Sequence, residues 1–340
     1  MPAANNDVPD DVRDEVPILH GRRDDELLIA HFSDVHALSL GGVSPLAFLS
    51  KRLAGGLNLL LKRRHRHPVR LFEALIADLN QVRPDHVIVT GDLTNLSLEP
   101  EFALARRILD GLKLGPAGVT VVPGNHDAYV WGAWLRHAFE RAFVPYLLSD
   151  GALTPRYPLE RVRGALAVIG VSTAVPSPVP FADGRIGVRQ LGALEAALSR
   201  HAGRFRVLAL HHPPVRNRHA FLRGLRDRGP LQEVLARVGA ELVIHGHEHR
   251  DLWATVPGPA GPIPVVGVGS GTYNDARRDR RARYNLYRIV AGRLVAVETR
   301  SHDPESGRFT PFATRLLVPS PSPGTRQAET GPSHWITTPA

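Results

Sequence analysis

Five short clusters of polar residues in the sequence have the composition of a metal-binding site. Carboxylate, imidazole and amide side chains are costly to bury unless they bind something. Side chains two positions apart share a face of an extended chain, so a carboxylate or imidazole at that spacing forms a ready pair of ligands. The clusters are Asp34-Val35-His36, Gly91-Asp92, Gly124-Asn125-His126-Asp127, His211-His212-Pro213 and Gly246-His247-Glu248-His249.

The available donors favour a transition-metal ion over a hard or a soft one. The chain has no cysteine, which excludes disulfides and thiolate ligands. Hard divalent ions prefer oxygen ligands, whereas Mn, Fe and Zn also accept imidazole. The clusters supply seven candidate ligands, which is more protein ligands than one ion usually binds. They suit two ions ~3.5–4 Å apart, a common arrangement for phosphoryl hydrolysis.

Apolar runs typical of β-strands precede the clusters. Helical patterns such as 69–81, 101–112 and 188–200 fill most of the gaps between them. Five strands end at a polar cluster, and ligand crevices in open α/β sheets lie at the carboxyl ends of strands. We therefore expect an α/β domain in which the five clusters converge on one crevice. The predicted strands are 27–32, 87–90, 119–122, 166–171, 207–210, 242–244, 265–268, 284–289 and 294–299, the last two joined by a hairpin at 291–292.

The ordered set of clusters resembles the calcineurin-like metallophosphoesterase superfamily. Each cluster alone is a weak signal, but all five occur in order over roughly residues 27–300. The resemblance implies a four-layer α/β/β/α sandwich of two mixed β-sheets flanked by helices, with a dinuclear metal site at one edge. It also implies metal-dependent hydrolysis of a phosphoester. The final motifs, HHPP and GHxH, are most similar to the cyclic-nucleotide phosphodiesterase and glycerophosphodiesterase branch, which indicates a phosphodiester substrate.

The resemblance also implies how the ligands divide between two ions of Mn²⁺, Fe²⁺/Fe³⁺ or Zn²⁺. His211 is preferred to His212 because it lies nearer the strand end, and because Pro213 restricts the backbone of His212. The implied ligands are Asp34, His36 and His249 for one ion, Asn125, His211 and His247 for the other, and Asp92 as a bridge between both.

Catalytic roles follow from the same resemblance. A hydroxide that bridges the two ions would attack phosphorus in line, because two cations lower its pKa. His126 would donate a proton to the leaving oxygen or stabilise the charge on the phosphoryl group. Asp127 would orient His126, and Gly124 would let the turn approach the ion closely.

Histidines outside the motifs are predicted to be surface residues or hydrogen-bonded polar residues. His65 and His67 belong to a basic run. His31 and His245 lie in or at the end of strands, where each is interpreted as a hydrogen-bonded core residue.

The two ends of the chain differ from its body. Residues 1–26 are acidic and predicted to be disordered, and the Pro/Ser/Thr-rich tail 317–340 is predicted to be unstructured. The metallophosphoesterase domain is therefore expected to span 27–316. Because the N-terminus is unlike a secretory signal and no apolar run approaches the ~20 residues of a membrane span, a cytoplasmic location is expected.

A basic amphipathic insertion, 45–67, separates the first two metal motifs. Leucines at helical spacing form one stripe on it, and Lys51 and Lys62 lie opposite, beside Phe48 and Leu59. Two interpretations remain open. The segment is either a helix that flanks the active site or a contact with an anionic membrane surface or lipid substrate. The second would place the protein peripherally at the inner face of the membrane.

Charge favours anionic partners. The net charge is +9, and residues 1–27 carry eight acids and three bases, a net of −5, so the remainder carries +9 − (−5) = +14. Arg250 is the candidate contact for a substrate phosphate. The basic run 277–283 could serve likewise, although solvated turns are the favoured interpretation there.

Three alternative functions are carried forward, and the oligomeric state is left open. The first is hydrolysis of a lipid-linked pyrophosphate, similar to the UDP-diacylglucosamine pyrophosphatases. The second is a nuclease or nucleic-acid-binding protein, which an aromatic content of 6% does not favour. The third is a non-catalytic scaffold, which the complete ligand set does not favour.

Overall fold

Two mixed β-sheets packed face to face form the centre of the molecule. The computed structural model describes residues 26–41, 43, 66–178, 180–216, 220–317 and 337–339. In chain order the strands are β1 (Glu26–Phe32), β2 (His86–Val89), β3 (Val119–Val121), β4 (Leu159–Arg163), β5 (Leu166–Gly170), β6 (Phe205–Ala209), β7 (Leu242–His245), β8 (Leu252–Val256), β9 (Ile263–Gly267), β10 (Arg283–Val290), β11 (Arg293–Asp303), β12 (Arg308–Leu316) and β13 (Thr337–Pro339).

Helices cover the outer faces of the two sheets. They are α1 (Val69–Val82), α2 (Glu99–Leu109), α3 (Trp131–Leu135), α4 (Ala138–Phe143), α5 (Val188–Arg200), α6 (Ala220–Arg223) and α7 (Arg228–Val238). Among the helices in the described part of the chain, none combines the length and the apolar composition needed to cross a membrane.

Each sheet combines parallel and antiparallel pairs. The first has the order β13-β12-β11-β10-β1-β2-β3, and β1, β2 and β3 are parallel within it. The second has the order β4-β5-β6-β7-β9-β8, with four parallel strands between antiparallel edge strands. Parallel strands direct their carboxyl ends to the same edge, so the loops that follow β1, β2, β3, β6 and β7 can meet.

Three apolar layers hold the sandwich together. Ile29 and Ile88 of the first sheet pack in one cluster with Val207 and Ile244 of the second. A second cluster joins the first sheet to α1 and α2, and a third joins the second sheet to α5 and α7. Because both faces of the central strands are covered, these strands are continuous apolar runs rather than alternating ones. The predicted α/β/β/α sandwich is confirmed.

All nine predicted strands are present, including the 291–292 hairpin. Ala291 and Gly292 have φ of 48° and 71°, the conformation of a two-residue turn that matches strand twist. The sequence analysis missed β4, β8, β12 and β13. β4 and β8 are edge strands, half exposed and without a clear apolar run.

The predicted unstructured tail needs one correction. β13 lies within it and pairs with β12 at the edge of the first sheet. An edge strand offers unpaired backbone groups to any nearby segment, and this pairing does not depend on the composition of the segment. The predicted N-terminal segment lies outside the described residues except for Glu26, and the insertion 45–67 lies outside them except for its last two residues.

Candidate metal centre

Loops from both sheets are joined by backbone hydrogen bonds at the carboxyl edge. In the first sheet, Asp34 N donates to Gly91 O at 3.0 Å and His36 N donates to Asp92 O at 2.9 Å. A hydrogen bond of 3.0 Å from His247 N to Asp34 Oδ2 joins the second sheet to the first. Three of the five clusters, which lie apart in sequence, therefore meet in one place.

Much of the backbone strain in the described residues is concentrated on the predicted ligands. Nine described non-glycine residues have a positive φ, and five of them are predicted ligands. L-residues rarely adopt this conformation, which costs about 1–3 kcal/mol where it is strained and persists only when the surroundings enforce it. The five are Asp34, His36, Asp92, His247 and His249, with φ between 46° and 72°.

Two glycines allow the loops to approach this closely. A Cβ on Gly124 would overlap the Asp92 carboxylate, and a Cβ on Gly246 would overlap Ser33 Oγ. The glycines of the GNHD and GHEH motifs are therefore required because the neighbouring loop leaves no room for a Cβ at either position.

The first group of donors consists of two carboxylates and two imidazoles. Asp34, His36, Asp92 and His249 offer ligand atoms that all lie within 4.8 Å of one another. His249 Nε2 lies 3.1 Å from Asp34 Oδ1 and 3.1 Å from His36 Nε2. Asp34 Oδ1 is buried and accepts no well-formed hydrogen bond from the described residues. A buried carboxylate oxygen of this kind requires a positive partner, and a divalent ion fits that requirement.

The second group surrounds the amide oxygen of Asn125. Asn125 Oδ1 lies 3.1 Å from His211 Nε2 and 3.0 Å from His247 Nδ1, and these two nitrogens are 3.2 Å apart. The opposite ring nitrogens contact carbonyl oxygens, His211 Nδ1 that of Thr90 at 2.6 Å and His247 Nε2 that of Arg223 at 3.0 Å. Each carbonyl fixes a proton on the far nitrogen, so in a neutral ring the lone pair lies on the near nitrogen, which faces the other donors. A cation between them fits this arrangement.

Asp92 lies between the two groups. Its Oδ2 is 3.5 Å from His211 Nε2 and 3.9 Å from His36 Nε2, while its Oδ1 accepts a hydrogen bond of 2.7 Å from His126 N. One carboxylate oxygen is thus within reach of both groups, the position expected of a bridge.

His212 is built into the wall of the site. Its Nδ1 contacts Thr173 Oγ1 at 2.7 Å and its Nε2 contacts Ala182 O at 3.3 Å. Both ring nitrogens are engaged by the protein, whereas His211 turns one nitrogen toward the other donors. The geometry therefore supports the choice of His211.

His126 is oriented by groups other than Asp127, which corrects the sequence-based expectation. Its Nδ1 donates to Asn95 O at 2.7 Å, and its ring stacks on Tyr129 with centroids 5.4 Å apart and planes 8° apart. Ser97 Oγ donates to His126 O and accepts from Tyr129 N, both at 2.8 Å. These contacts fix the plane of the half-buried ring.

Asp127 instead joins the GNHD loop to the loop after β2. Its Oδ2 accepts from Gly124 N at 3.0 Å and from Leu93 N at 3.2 Å. Its Oδ1 accepts from the backbone and the hydroxyl of Thr94, at 2.9 and 3.0 Å. Burial and the charge of Asp92 raise the pKa of Asp127 to about 7. The carboxylate of Asp127, at the fourth position of the GNHD turn, therefore accepts hydrogen bonds mainly from the backbone.

Protonation in the metal-free site is asymmetric. Burial lowers the pKa of His211, but the charge and hydrogen bonding of Asp92 outweigh it and raise that pKa to about 9. Burial, together with the charge of His211, lowers the pKa of His247 to about 3. The metal-free site therefore holds a proton on His211, where a metal ion would require a lone pair.

His67 was not predicted to belong to the site. It is 6% exposed, and its ring lies 4.8 Å from the ring of His36 and 6.1 Å from that of His249, centroid to centroid. The sequence placed it at the end of a basic run, and only its position directly before Pro68 and α1 distinguishes it from its neighbours. His31, by contrast, is the hydrogen-bonded core residue expected, with Tyr287 and Thr90 as partners.

The arginines proposed for substrate contact lie at the rim or within the structure. Arg250 is exposed and its guanidinium is 3.5 Å from Glu248, so its role in substrate binding stays a prediction. In the 277–283 run, Arg283 is buried and donates to Asp251 at 2.6 Å. Arg277, Arg278 and Arg280 are exposed, as expected for solvated turns.

Comparison with known proteins agrees with this site. A family model described as calcineurin-like phosphoesterase matches residues 27–251. The chain is 33% identical to a cAMP/cGMP dual specificity phosphodiesterase of Mycobacterium tuberculosis over 261 residues, covering 74% of this chain and 69% of the relative. It is 29% identical to a probable cyclic nucleotide phosphodiesterase of Rhodococcus erythropolis over 248 residues, covering 72% of this chain and 71% of the relative.

A solved structure shares the fold. A dimetal phosphatase from Danio rerio superimposes with a TM-score of 0.54 at 12% identity, covering 80% of this chain and 95% of its own. The two proteins share the sandwich architecture although their sequences are very different.

Metal binding is expected to release a proton. Because the pKa of His211 is raised to about 9 in the metal-free site, binding at pH 7.5 must displace a proton from that ring, and the part of the release that comes from His211 should disappear above pH 9. Calorimetric titration with Mn²⁺ in two buffers of different ionisation enthalpy measures it. Equal apparent enthalpies in both buffers at pH 7.5 would contradict the assignment.

Asp127→Asn tests the structural role given to Asp127. At pH 8, above the pKa of about 7, an amide nitrogen would replace one acceptor oxygen and leave two donors unpaired. These are two backbone N–H groups if it replaces Oδ2, or the N–H and hydroxyl of Thr94 if it replaces Oδ1. The free energy of unfolding of the metal-free protein should fall by about 3 kcal/mol in a urea titration. The exposed control Asp279→Asn should change it by less than about 0.5 kcal/mol. A stable Asp127→Asn protein impaired only in turnover would instead restore the orienting role.

Proposed function

Because the chain belongs to the calcineurin-like phosphoesterase family, we propose that it hydrolyses a phosphodiester at a centre of two divalent metal ions. The observation that carries this proposal is the convergence of all seven predicted ligands, with Asp92 Oδ2 within reach of both groups. None of the seven is replaced or turned away, which supports a catalyst over a non-catalytic scaffold.

The protein supplies the ligands and controls their orientation. When bound, two divalent ions would polarise the phosphoryl group and lower the pKa of water held between them. Asp92 would keep the two ions together, and its second oxygen is already engaged by His126 N. The carbonyls of Thr90 and Arg223 would hold His211 and His247 in the ligating tautomer.

His126 is suited to the leaving group. Asn95 O accepts from its Nδ1, an interaction that stabilises a positively charged ring and leaves the Nε2 edge for the substrate. Stacking on Tyr129 restricts rotation of the ring about its side-chain bonds. We assign His126 the transfer of a proton to the leaving oxygen, or the stabilisation of its charge.

The names of the relatives support a substrate class. Both curated relatives described above are named as cyclic nucleotide phosphodiesterases, and each aligns with more than two thirds of this chain. Their names support a small diester, with a cyclic nucleotide as the first compound to examine. A glycerophosphodiester, the other substrate of the branch that the sequence resembles, is the second.

One feature favours a lipid-linked pyrophosphate as a second candidate. Trp131 and Leu135, which follow the GNHD loop, are 61% and 64% exposed, and Phe221, two residues before Arg223, is 85% exposed. Exposed apolar side chains next to two of the ligand loops would suit a substrate with acyl chains. The insertion 45–67, the reason the sequence suggested this candidate, lies outside the described residues except for its last two.

Hydrolysis of bis-p-nitrophenyl phosphate, compared with p-nitrophenyl phosphate in the presence of Mn²⁺, tests the proposal. We expect the diester to be turned over with the higher kcat/KM, and 3′,5′-cyclic AMP to compete with it. Asn125→Ala, which removes a ligand, should lower kcat/KM by about 100-fold or more. Asn80→Ala, on α1 and outside the site, serves as the control and should leave it unchanged.

The other results separate the alternatives. Preference for the monoester would contradict diester specificity. Turnover confined to a UDP-linked diacyl lipid in mixed micelles would favour the second candidate. Failure to turn over any of these substrates, together with failure to bind Mn²⁺, would overturn the assignment as a phosphoesterase centre.

A further inference from the structure

We propose that His67 is an additional ligand of the first metal position, beside Asp34, His36, Asp92 and His249. This inference rests on the dinuclear centre proposed above and extends it with a residue outside the five sequence clusters. His67 would give this position a third imidazole, whereas the second position has two imidazoles and an amide oxygen.

The placement of His67 is the first observation. A ring nitrogen of His67 lies within 4.8 Å of ring nitrogens of both His36 and His249. Its ring packs edge-on against His36, with centroids 4.8 Å apart and planes at 68°. Two ligands of one ion are separated by at most about twice a metal–nitrogen distance of roughly 2.0–2.1 Å. The three nitrogens lie within 4.8 Å of one another, at most about 0.6 Å beyond that limit, so the ring of His67 would move toward the ion to join His36 and His249 on it.

The tautomer of His67 is fixed by a chain of hydrogen bonds. Thr272 Oγ1 donates its one proton to Val35 O at 2.7 Å. In its contact of 2.9 Å with His67 Nδ1, the same oxygen must therefore accept, and the proton lies on Nδ1. Neutral imidazole then carries its lone pair on Nε2. Donation from the far nitrogen to a protein oxygen is the usual arrangement around a metal-bound histidine.

His67 is also held rigidly relative to the metal loop. Asn274 N donates to Arg66 O at 2.7 Å, which fixes the backbone directly before His67. The segment 270–274 is in turn joined to the first cluster, because Ser270 Oγ donates to Asp34 O at 2.6 Å and Gly271 N donates to Ser33 O at 2.8 Å. The segment therefore positions His67 and Asp34 together.

An additional imidazole would make the two positions chemically unequal. Imidazole ligands favour Fe, Co and Zn over Mg, whereas oxygen donors suit the harder ions. The first position would bind a transition metal more tightly than the four-donor set alone. His67 is thus the residue through which this chain would select the ion at that position.

Cobalt binding to His67→Ala tests the proposal in the full-length protein. Co²⁺ is the probe because its visible absorption reports the ligands of each ion. We expect one of the two Co²⁺ dissociation constants to rise by about tenfold or more, with a change in the visible spectrum, while the other constant changes less. In the double variant with Asn125→Ala, both constants should rise, because the two substitutions remove ligands of different ions.

Matched variants keep the result interpretable. His137→Ala removes an exposed histidine far along the chain and should change neither constant. Thr272→Val removes the hydroxyl that fixes the tautomer of His67, so it should weaken binding of the same Co²⁺ ion as His67→Ala does. Thr272→Ser keeps the hydroxyl and should bind both ions like the unmodified protein. If His67→Ala does not fold, His67→Gln is measured in its place with the same expectation.

Unchanged Co²⁺ constants and spectrum in folded His67→Ala would overturn the proposal. A higher KM with unchanged metal binding would also overturn it, because His67 would then contact the substrate. If the unmodified protein binds no Co²⁺, the proposal of a dinuclear centre is wrong. If two ions bind equally well with and without His67, only the proposed role of His67 is wrong.

Discussion

Two buried carboxylates, Asp34 and Asp92, set the requirement that the rest of the site satisfies. Both side chains are almost completely removed from solvent, and a buried charge is stable only when it is paired. Without metal, a proton on His211 supplies part of the missing positive charge. Two divalent ions would supply it more completely and release that proton. Affinity for metal is thus a consequence of where the fold places these carboxylates.

The fold meets this requirement at a cost in backbone conformation. Five predicted ligands adopt a left-handed φ, and loops touch at two glycines that admit no side chain, within the first sheet at Gly124 and between the sheets at Gly246. Such strain persists only where the surroundings enforce it. The three apolar layers and the parallel strands provide that rigidity, because they fix where each loop begins. Asp127 adds to it by joining two of the loops through four hydrogen bonds.

The sequence was sufficient to predict whatever depends on local pattern. Continuous apolar runs revealed the central strands, and the order and spacing of the polar clusters indicated which residues meet at their ends. Contacts between residues that are distant in sequence were not predicted. His67 reaches the site because the segment 270–274 fixes it there, and no short motif reports such a contact. Asp127 was assigned to its neighbour in sequence, whereas its hydrogen-bond donors include Leu93 and Thr94, more than thirty positions earlier.

Sharing of the Asp92 carboxylate by two metal ions can be observed by anomalous diffraction from crystals grown with Mn²⁺, recorded on both sides of the manganese absorption edge. We expect two anomalous peaks, one among Asp34, His36 and His249 and one among Asn125, His211 and His247, with an Asp92 oxygen in contact with both. A single peak, or two peaks that Asp92 does not join, would contradict it.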